Sequence, residues 1–182
     1  HFLVLGVIST LITAVIGITF GNDFEAARGQ IWIVGVMWFI TATLLLVTDY
    51  RTRTRMSLRE MGFLAAVVIG LAQSAAIMPG ISRSGATICA AVLLGLHRRW
   101  AIEYSFLLAM PAILGGTLIT ILKDADQLKT VDISTSAMIF GALSAFIVGV
   151  IALKLLISFS RRKNFKIFAI YCYLLSIAVA VY

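Results

Sequence analysis

The sequence predicts an all-α fold, a polytopic bundle of membrane helices that contains one re-entrant helix-turn-helix hairpin. Three observations carry that expectation. Of the 182 residues, 61% are hydrophobic and only 13% are charged, with a mean hydropathy of +1.04. A soluble domain is nearer half apolar, with about a quarter of its residues charged. Several uncharged runs reach the roughly 20 residues that a helix needs to cross a hydrocarbon core of about 30 Å. The Lys and Arg residues gather in the short connections between those runs. A soluble protein with buried helices would need polar-faced segments to cover them, and the sequence offers none.

The elements follow in order. The first span is Phe2–Phe20, and the connection Gly21–Gln30 carries Asp23, Glu25 and Arg28. A second span, Ile31–Thr48, leads to the basic connection Asp49–Glu60, with Arg51, Arg53, Arg55 and Arg59. An apolar stretch then runs to Met78, followed by an irregular turn and by Ser84–Leu96, which is only 13 residues long. Arg98 and Arg99 make His97–Ala101 basic. The span Tyr104–Leu122 leads to Lys123–Asp132, a mildly acidic connection with Asp124, Asp126 and Asp132. Ser134–Leu153 then returns to the basic Ser158–Lys166, and Ile167–Tyr182 closes the chain. Residues 1–182 read as a single integral membrane domain, without internal repeat or linker.

Parity decides what lies between the basic connections. Basic loops favour the cytoplasmic face, so 49–60, 97–101 and 158–166 belong on one side, opposite 21–30 and 123–132. The stretch between 60 and 97 therefore crosses an even number of times. Thirteen residues are too few for a comfortable span, so a hairpin that dips in and returns is expected. The same bias accounts for the net charge of +7 without a nucleic-acid partner. Cys89 and Cys172 lie within apolar segments and read as packing residues.

The hairpin's apex is Met78-Pro79-Gly80-Ile81-Ser82-Arg83-Ser84-Gly85-Ala86-Thr87. Pro79 and Gly80 shape the turn, one by breaking the incoming helix and the other by its backbone freedom. Ser84 is expected to cap the outgoing helix. Arg83 stands between two long uncharged stretches, and an Arg at membrane depth is a functional candidate. Its guanidinium fork matches phosphate oxygens. Ser82, Ser84 and Thr87 add hydroxyls, and the N–H groups from Ser84 through Gly85 to Thr87 open a helix where an anion is favoured. A phosphate site made of Ser82, Arg83, Ser84, Gly85 and Thr87 is the expectation, with Gln73 either lining the cavity or bridging helices. A structural role for Arg83, paired with a carboxylate or snorkelling, is the competing reading. Glu103 and His97 are expected to pair with Arg98 or Arg99.

The string Pro79–Thr87, together with Tyr104-Ser105-Phe106-Leu107-Leu108-Ala109-Met110-Pro111 and Phe168-Ala169-Ile170-Tyr171, resembles the bacterial undecaprenyl-diphosphate phosphatase family. The likeness runs along the whole chain, and its specificity lies in the full PGxSRSxxT string. It implies a multi-pass enzyme of the bacterial inner membrane that hydrolyses undecaprenyl diphosphate and recycles the carrier for cell-wall synthesis. It further implies bacitracin resistance, an inverted repeat of which this hairpin is half, and Mg²⁺ or Ca²⁺ as cofactor. In such an enzyme Arg83 would clamp the diphosphate, with Ser82 and Thr87 as further catalytic candidates. The lipid tail would lie among side chains such as Phe106 and Met110. The family's glutamate-rich ExxxE and PxSSxGH motifs are absent from these residues, so no metal ligand is assigned here. The chain opens on His1, directly in an apolar span. A preceding segment bearing those motifs is expected, and these residues alone are expected to be inactive. A lipid-carrier transporter or flippase using the same hairpin is the alternative. The bilayer and undecaprenyl diphosphate are the expected partners, and a second copy of the chain is a candidate.

Overall fold

A computed structural model describes residues 2–50, 56–123, 134–161 and 165–181. These form seven helices: α1 (Phe2–Arg28), α2 (Ile31–Tyr50), α3 (Phe63–Ala75), α4 (Arg83–Leu93), α5 (Arg98–Lys123), α6 (Thr135–Arg161) and α7 (Phe165–Val181). Four of them, α1, α2, α5 and α6, are long and apolar enough to cross a membrane. The chain is thus a polytopic membrane helix bundle. The connection expected at 21–30 is mostly helix, because α1 continues to Arg28. Phe24, Ala26 and Ala27 give no reason to stop, and Gly29 and Gln30 alone make the turn.

The hairpin forms as expected. α3 has 13 residues and α4 has 11, and α4 leads back toward the end from which α3 set out. A single bridge fixes that return. Met56 N–H donates to the Gly95 carbonyl at 3.0 Å, and His97 N–H donates to the Met56 carbonyl at 2.9 Å. A clamp at the same end joins three more elements. Arg98 lies 3.6 Å from the Asp49 carboxylate, with both side chains nearly buried. It also donates to the Thr48 and Asp49 carbonyls at 2.9 and 3.2 Å. The Phe165 N–H donates to Asp49 Oδ1 at 3.3 Å, and the guanidinium lies over the Phe165 ring. The end of α2, the starts of α5 and α7 and the hairpin's base therefore share one side, as charge parity requires. Arg53, Asp126 and Lys163, which belong to the same topology, lie outside the described residues.

Small residues set the hairpin's seat. A Cβ on Gly70 of α3 would sit 2.9 Å from Ser9 Cα of α1, so the two backbones touch, as small residues permit between membrane helices. Polar side chains in that seam are satisfied locally. Ser9 donates to the Ala66 carbonyl at 2.7 Å and shares a 3.0 Å hydrogen bond with the Tyr104 hydroxyl. Met61, Ile69, Val92, Leu96 and Leu108 pack into a common core between α3, α4 and α5. α2 and α7 form a second close pair. Ser176 donates to the Gly35 carbonyl at 2.8 Å, and a Cβ on Gly35 would meet Val179 at 2.9 Å.

Candidate phosphate-binding site

The turn between α3 and α4 is built against α2. Gly80 has φ +97°, a left-handed conformation that other residues rarely adopt. A Cβ there would sit 2.7 Å from the Val34 carbonyl oxygen, so both backbone angle and space demand glycine. The expected cap moves. Ser82, not Ser84, is the N-cap: it is extended (φ −68°, ψ 114°) and its Oγ accepts the Gly85 N–H at 3.2 Å. The helix ladder then begins with Ala86 N–H donating to the Ser82 carbonyl at 2.8 Å. The N–H groups of Arg83 and Ser84 stay outside it, as the first donors of a helix must.

The five residues expected at one point separate onto two faces, because positions four apart share a face. Ser84, Gly85 and Ile88 face a cavity of about 460 Å³ between α2, α6 and α7, and Ser82 joins them at its rim. Arg83 and Thr87 face α5 instead. The Arg83 guanidinium donates to the Ala109 carbonyl at 3.5 Å and is half-buried. Thr87 is fully buried. Its hydroxyl shares a 2.6 Å hydrogen bond with Ser105 Oγ and also lies 2.9 Å from the Arg83 carbonyl. That placement is a correction to its expected place on the phosphate. With its hydroxyl committed to α4 and α5, Thr87 locks the helix behind the turn.

Arg83 has no carboxylate partner among the described residues, whose ion pairs are Arg98–Asp49 and Arg99–Glu103. The second of these, at 2.9 Å, is the pairing expected for Glu103. His97 Nδ1 accepts the Arg99 N–H at 3.4 Å. Gln73 bridges helices: its Nε2 donates to Thr13 Oγ1 at 3.1 Å, while its buried Oε1 has no partner. It does not line the cavity at the turn. An uncompensated guanidinium, two hydroxyls and free helix-start amides suit an anion. They do not fit a divalent cation, which takes oxygen ligands dominated by carboxylates, and no cluster of three His, Cys, Asp or Glu occurs among the described residues.

Sequence reasoning missed the far wall of the cavity, where Trp38 and Thr41 of α2 meet Phe168, Tyr171 and Cys172 of α7. The Phe168–Tyr171 string was the one signal pointing there. It also missed the partnership of Asp49 with Arg98.

Fold and site together define a class: a polytopic membrane protein that presents, at the tip of a re-entrant hairpin, a helix start and an arginine with no carboxylate partner among the described residues. Within that class the chain belongs to the bacitracin resistance protein BacA family, whose family model matches residues 1–178. It is similar to an undecaprenyl-diphosphatase of Halorhodospira halophila, at 39% identity over 96% of this chain and 61% of the relative. An undecaprenyl-diphosphatase of Methanosphaera stadtmanae is 34% identical over 100% of this chain and 64% of its own length. One of Korarchaeum cryptofilum is 41% identical over 94% and 63%. The chain therefore spans somewhat less than two thirds of these relatives.

Proposed function

We propose that the protein to which this chain belongs hydrolyses undecaprenyl diphosphate to undecaprenyl phosphate and inorganic phosphate in the bacterial inner membrane. The observation that carries the reading is Arg83, a half-buried cation at the start of a re-entrant helix, without a carboxylate partner among the described residues. The relatives, all undecaprenyl-diphosphatases by name, support the same substrate. In the reaction, water's oxygen joins the terminal phosphorus as the bond to the bridging oxygen breaks. Undecaprenyl phosphate leaves with that bridging oxygen. Charge gathers on the bridging and terminal oxygens, where a bidentate guanidinium stabilises it. To reach the same phosphate the guanidinium would exchange its 3.5 Å bond to the Ala109 carbonyl for the ligand and swing toward the helix start. The Arg83 and Ser84 amides and the Ser84 hydroxyl would hold the remaining oxygens, and Ser82 would position the attacking water.

These groups bind an anion, but they do not activate water. Holding the ground state does not by itself accelerate a reaction, and a hydroxyl without a base is a weak nucleophile. The described residues at the turn offer no base. The Mg²⁺ or Ca²⁺ that the family resemblance implies would need ligands from elsewhere. The test is phosphate release in detergent, with and without Mg²⁺ or Ca²⁺. It compares the 182-residue chain with a version extended by a segment bearing the ExxxE and PxSSxGH motifs. The extended protein should release phosphate and the short chain should not. Robust turnover by the short chain would place a complete site within Pro79–Thr87 and its neighbours.

A further inference from the structure

We propose that a cavity between the start of α1, the turn at residues 57–60 and the first half of α5 is a binding site for the headgroup of an anionic phospholipid. It lies at the hairpin's base, not at its tip, and the inference is independent of the reaction proposed above.

Its place in the bilayer comes from the elements that line it. Ser57, Leu58 and Arg59 follow directly on Met56, whose hydrogen bonds tie it to Gly95 and His97. Phe2 and Trp100 stand at the starts of two apolar spans, Phe2–Gly21 and Arg98–Leu122. The cavity therefore opens where hydrocarbon gives way to headgroups, on the side to which basic connections are drawn. From Trp100 to Leu107 it follows α5 for about 10 Å, at about 1.5 Å per residue. Its volume of about 480 Å³ lies within the roughly 300–1,000 Å³ of ordinary ligand sites. That is room for a headgroup and the first carbons of its chains.

The chemistry of the lining selects the headgroup. The turn closes on itself: Ser57 N–H donates to the Glu60 carboxylate at 2.7 Å, and Glu60 N–H donates to the Ser57 carbonyl at 3.2 Å. The charged residues of the lining are Arg59 and Glu103. Glu103 is answered by Arg99 at 2.9 Å, and the Arg99 guanidinium also lies over the Trp100 ring, 5.3 Å from its centre. Arg59 is exposed and has no ion pair among the described residues. Tyr104 offers its ring, since its hydroxyl is bonded to Ser9 at 3.0 Å. The cavity thus joins a guanidinium without a carboxylate to a wall of Phe2, Leu58, Trp100, Tyr104 and Leu107. A phosphodiester carried on acyl chains meets both, its oxygens on the guanidinium and its chains on the wall. Basic pockets between membrane helices on the cytoplasmic side take anionic headgroups in this way. A zwitterionic headgroup brings its own cation beside Arg59 and loses the advantage. The flanking surface is of the kind that acyl chains cover, with Leu3, Val4 and Val7 of α1 and Leu114 and Leu118 of α5 exposed.

Trp100 serves as the reporter. With Trp32→Phe and Trp38→Phe it is the sole remaining tryptophan of the three in the chain. The protein in detergent micelles is titrated with phospholipids brominated on their chains. Phosphatidylglycerol should quench Trp100 at about fivefold lower mole fraction than phosphatidylcholine, a preference of ~1 kcal/mol. Arg59→Gln should abolish the preference, and Arg59→Lys, which keeps the charge, should retain it. Glu103→Gln, which removes the negative charge from the lining, should strengthen it. Thermal midpoints of the variants check that the fold is kept. Equal quenching by the two lipids, or a preference that survives Arg59→Gln, would overturn the site. The same titration is run on the extended protein, with any added tryptophan replaced by phenylalanine. A preference kept there supports lipid in the cavity. Its disappearance would mean that polypeptide fills the space, and the proposal would fall.

Discussion

Arg83 and Thr87 stand one helical turn apart, and the contrast between them makes the site testable. Among the described residues Arg83 donates one long bond, to the Ala109 carbonyl, which leaves most of its fork open to a ligand. Replacing it with Lys keeps the charge and loses the bidentate geometry. A hydrogen bond to a charged group is worth roughly 1.5–3 kcal/mol, or about one to two decades in rate per lost contact. Arg83→Lys in the active, extended protein should therefore lose most phosphate release, and Arg83→Ala essentially all of it. Near-normal turnover in a folded Arg83→Ala would return the residue to a packing role. Thr87→Val should behave differently. It removes the bond to Ser105 and leaves that hydroxyl short of a partner, at about 1–3 kcal/mol of stability. Phosphate affinity should scarcely change, and a thermal-shift series set beside an inhibition constant for inorganic phosphate checks both statements. The sequence made the presence of these groups legible but not their division. Ser84 and Thr87 lie in one short string, and which face each occupies depends on where the helix begins. Ser82 fixes that start, and the string alone allowed Ser84 just as well.

At the scale of elements, the hairpin was legible because its turn needs Pro79 and Gly80 and because α4 is too short to span. The Asp49–Arg98 clamp was not. Its partners are 49 residues apart, and an Arg beside a Glu four residues on invites the local pairing that the neighbouring Arg99 makes. The clamp's worth can be measured. Removing one member of a buried ion pair strands the other and typically costs about 3–5 kcal/mol, so Asp49→Ala should lower the thermal midpoint sharply. Asp49→Ala combined with Arg98→Met should recover much of the loss. If the double variant is as unstable as the single, the pair is not the source of the effect. Gly80→Ala should be damaging for an unrelated reason, since a φ of +97° and a Cβ 2.7 Å from the Val34 oxygen leave no room for a side chain. It should shift the turn and weaken phosphate binding even where the bundle survives.

Across the whole molecule, one arrangement follows from the bridge at Met56 and the clamp at Asp49: the basic connections lie together. Single cysteines at Arg53, Arg99 and Lys163 should react only from the cytoplasmic side, and those at Asp23 and Asp126 only from outside. Labelling of Arg99 with Asp126 would turn the hairpin into a true crossing. The bundle itself was plain from composition and span length. The cavity beside the turn was not, because its walls come from α2, α4, α6 and α7, elements far apart in sequence that hydropathy does not bring together.

The hairpin's shortness has an electrical consequence. Thirteen residues of α3 reach about 20 Å at 1.5 Å per residue, against a hydrocarbon thickness of about 30 Å. A charge at the tip therefore sits part-way through the insulating layer, with water above it if a phosphate is to enter. Moving one charge across the whole layer is worth ~2.3 kcal/mol per 100 mV. An anion that reaches the tip from the face opposite the hairpin's base crosses about a third of the layer, roughly 0.8 kcal/mol per charge for the same voltage, and one from the base side about two thirds, roughly 1.5 kcal/mol. Binding of phosphate in proteoliposomes should accordingly respond to an imposed diffusion potential, and the sign of the response reports the side from which the anion arrives. Arg83 would then act as the inner plate of a small capacitor that the cell's own membrane potential keeps charged.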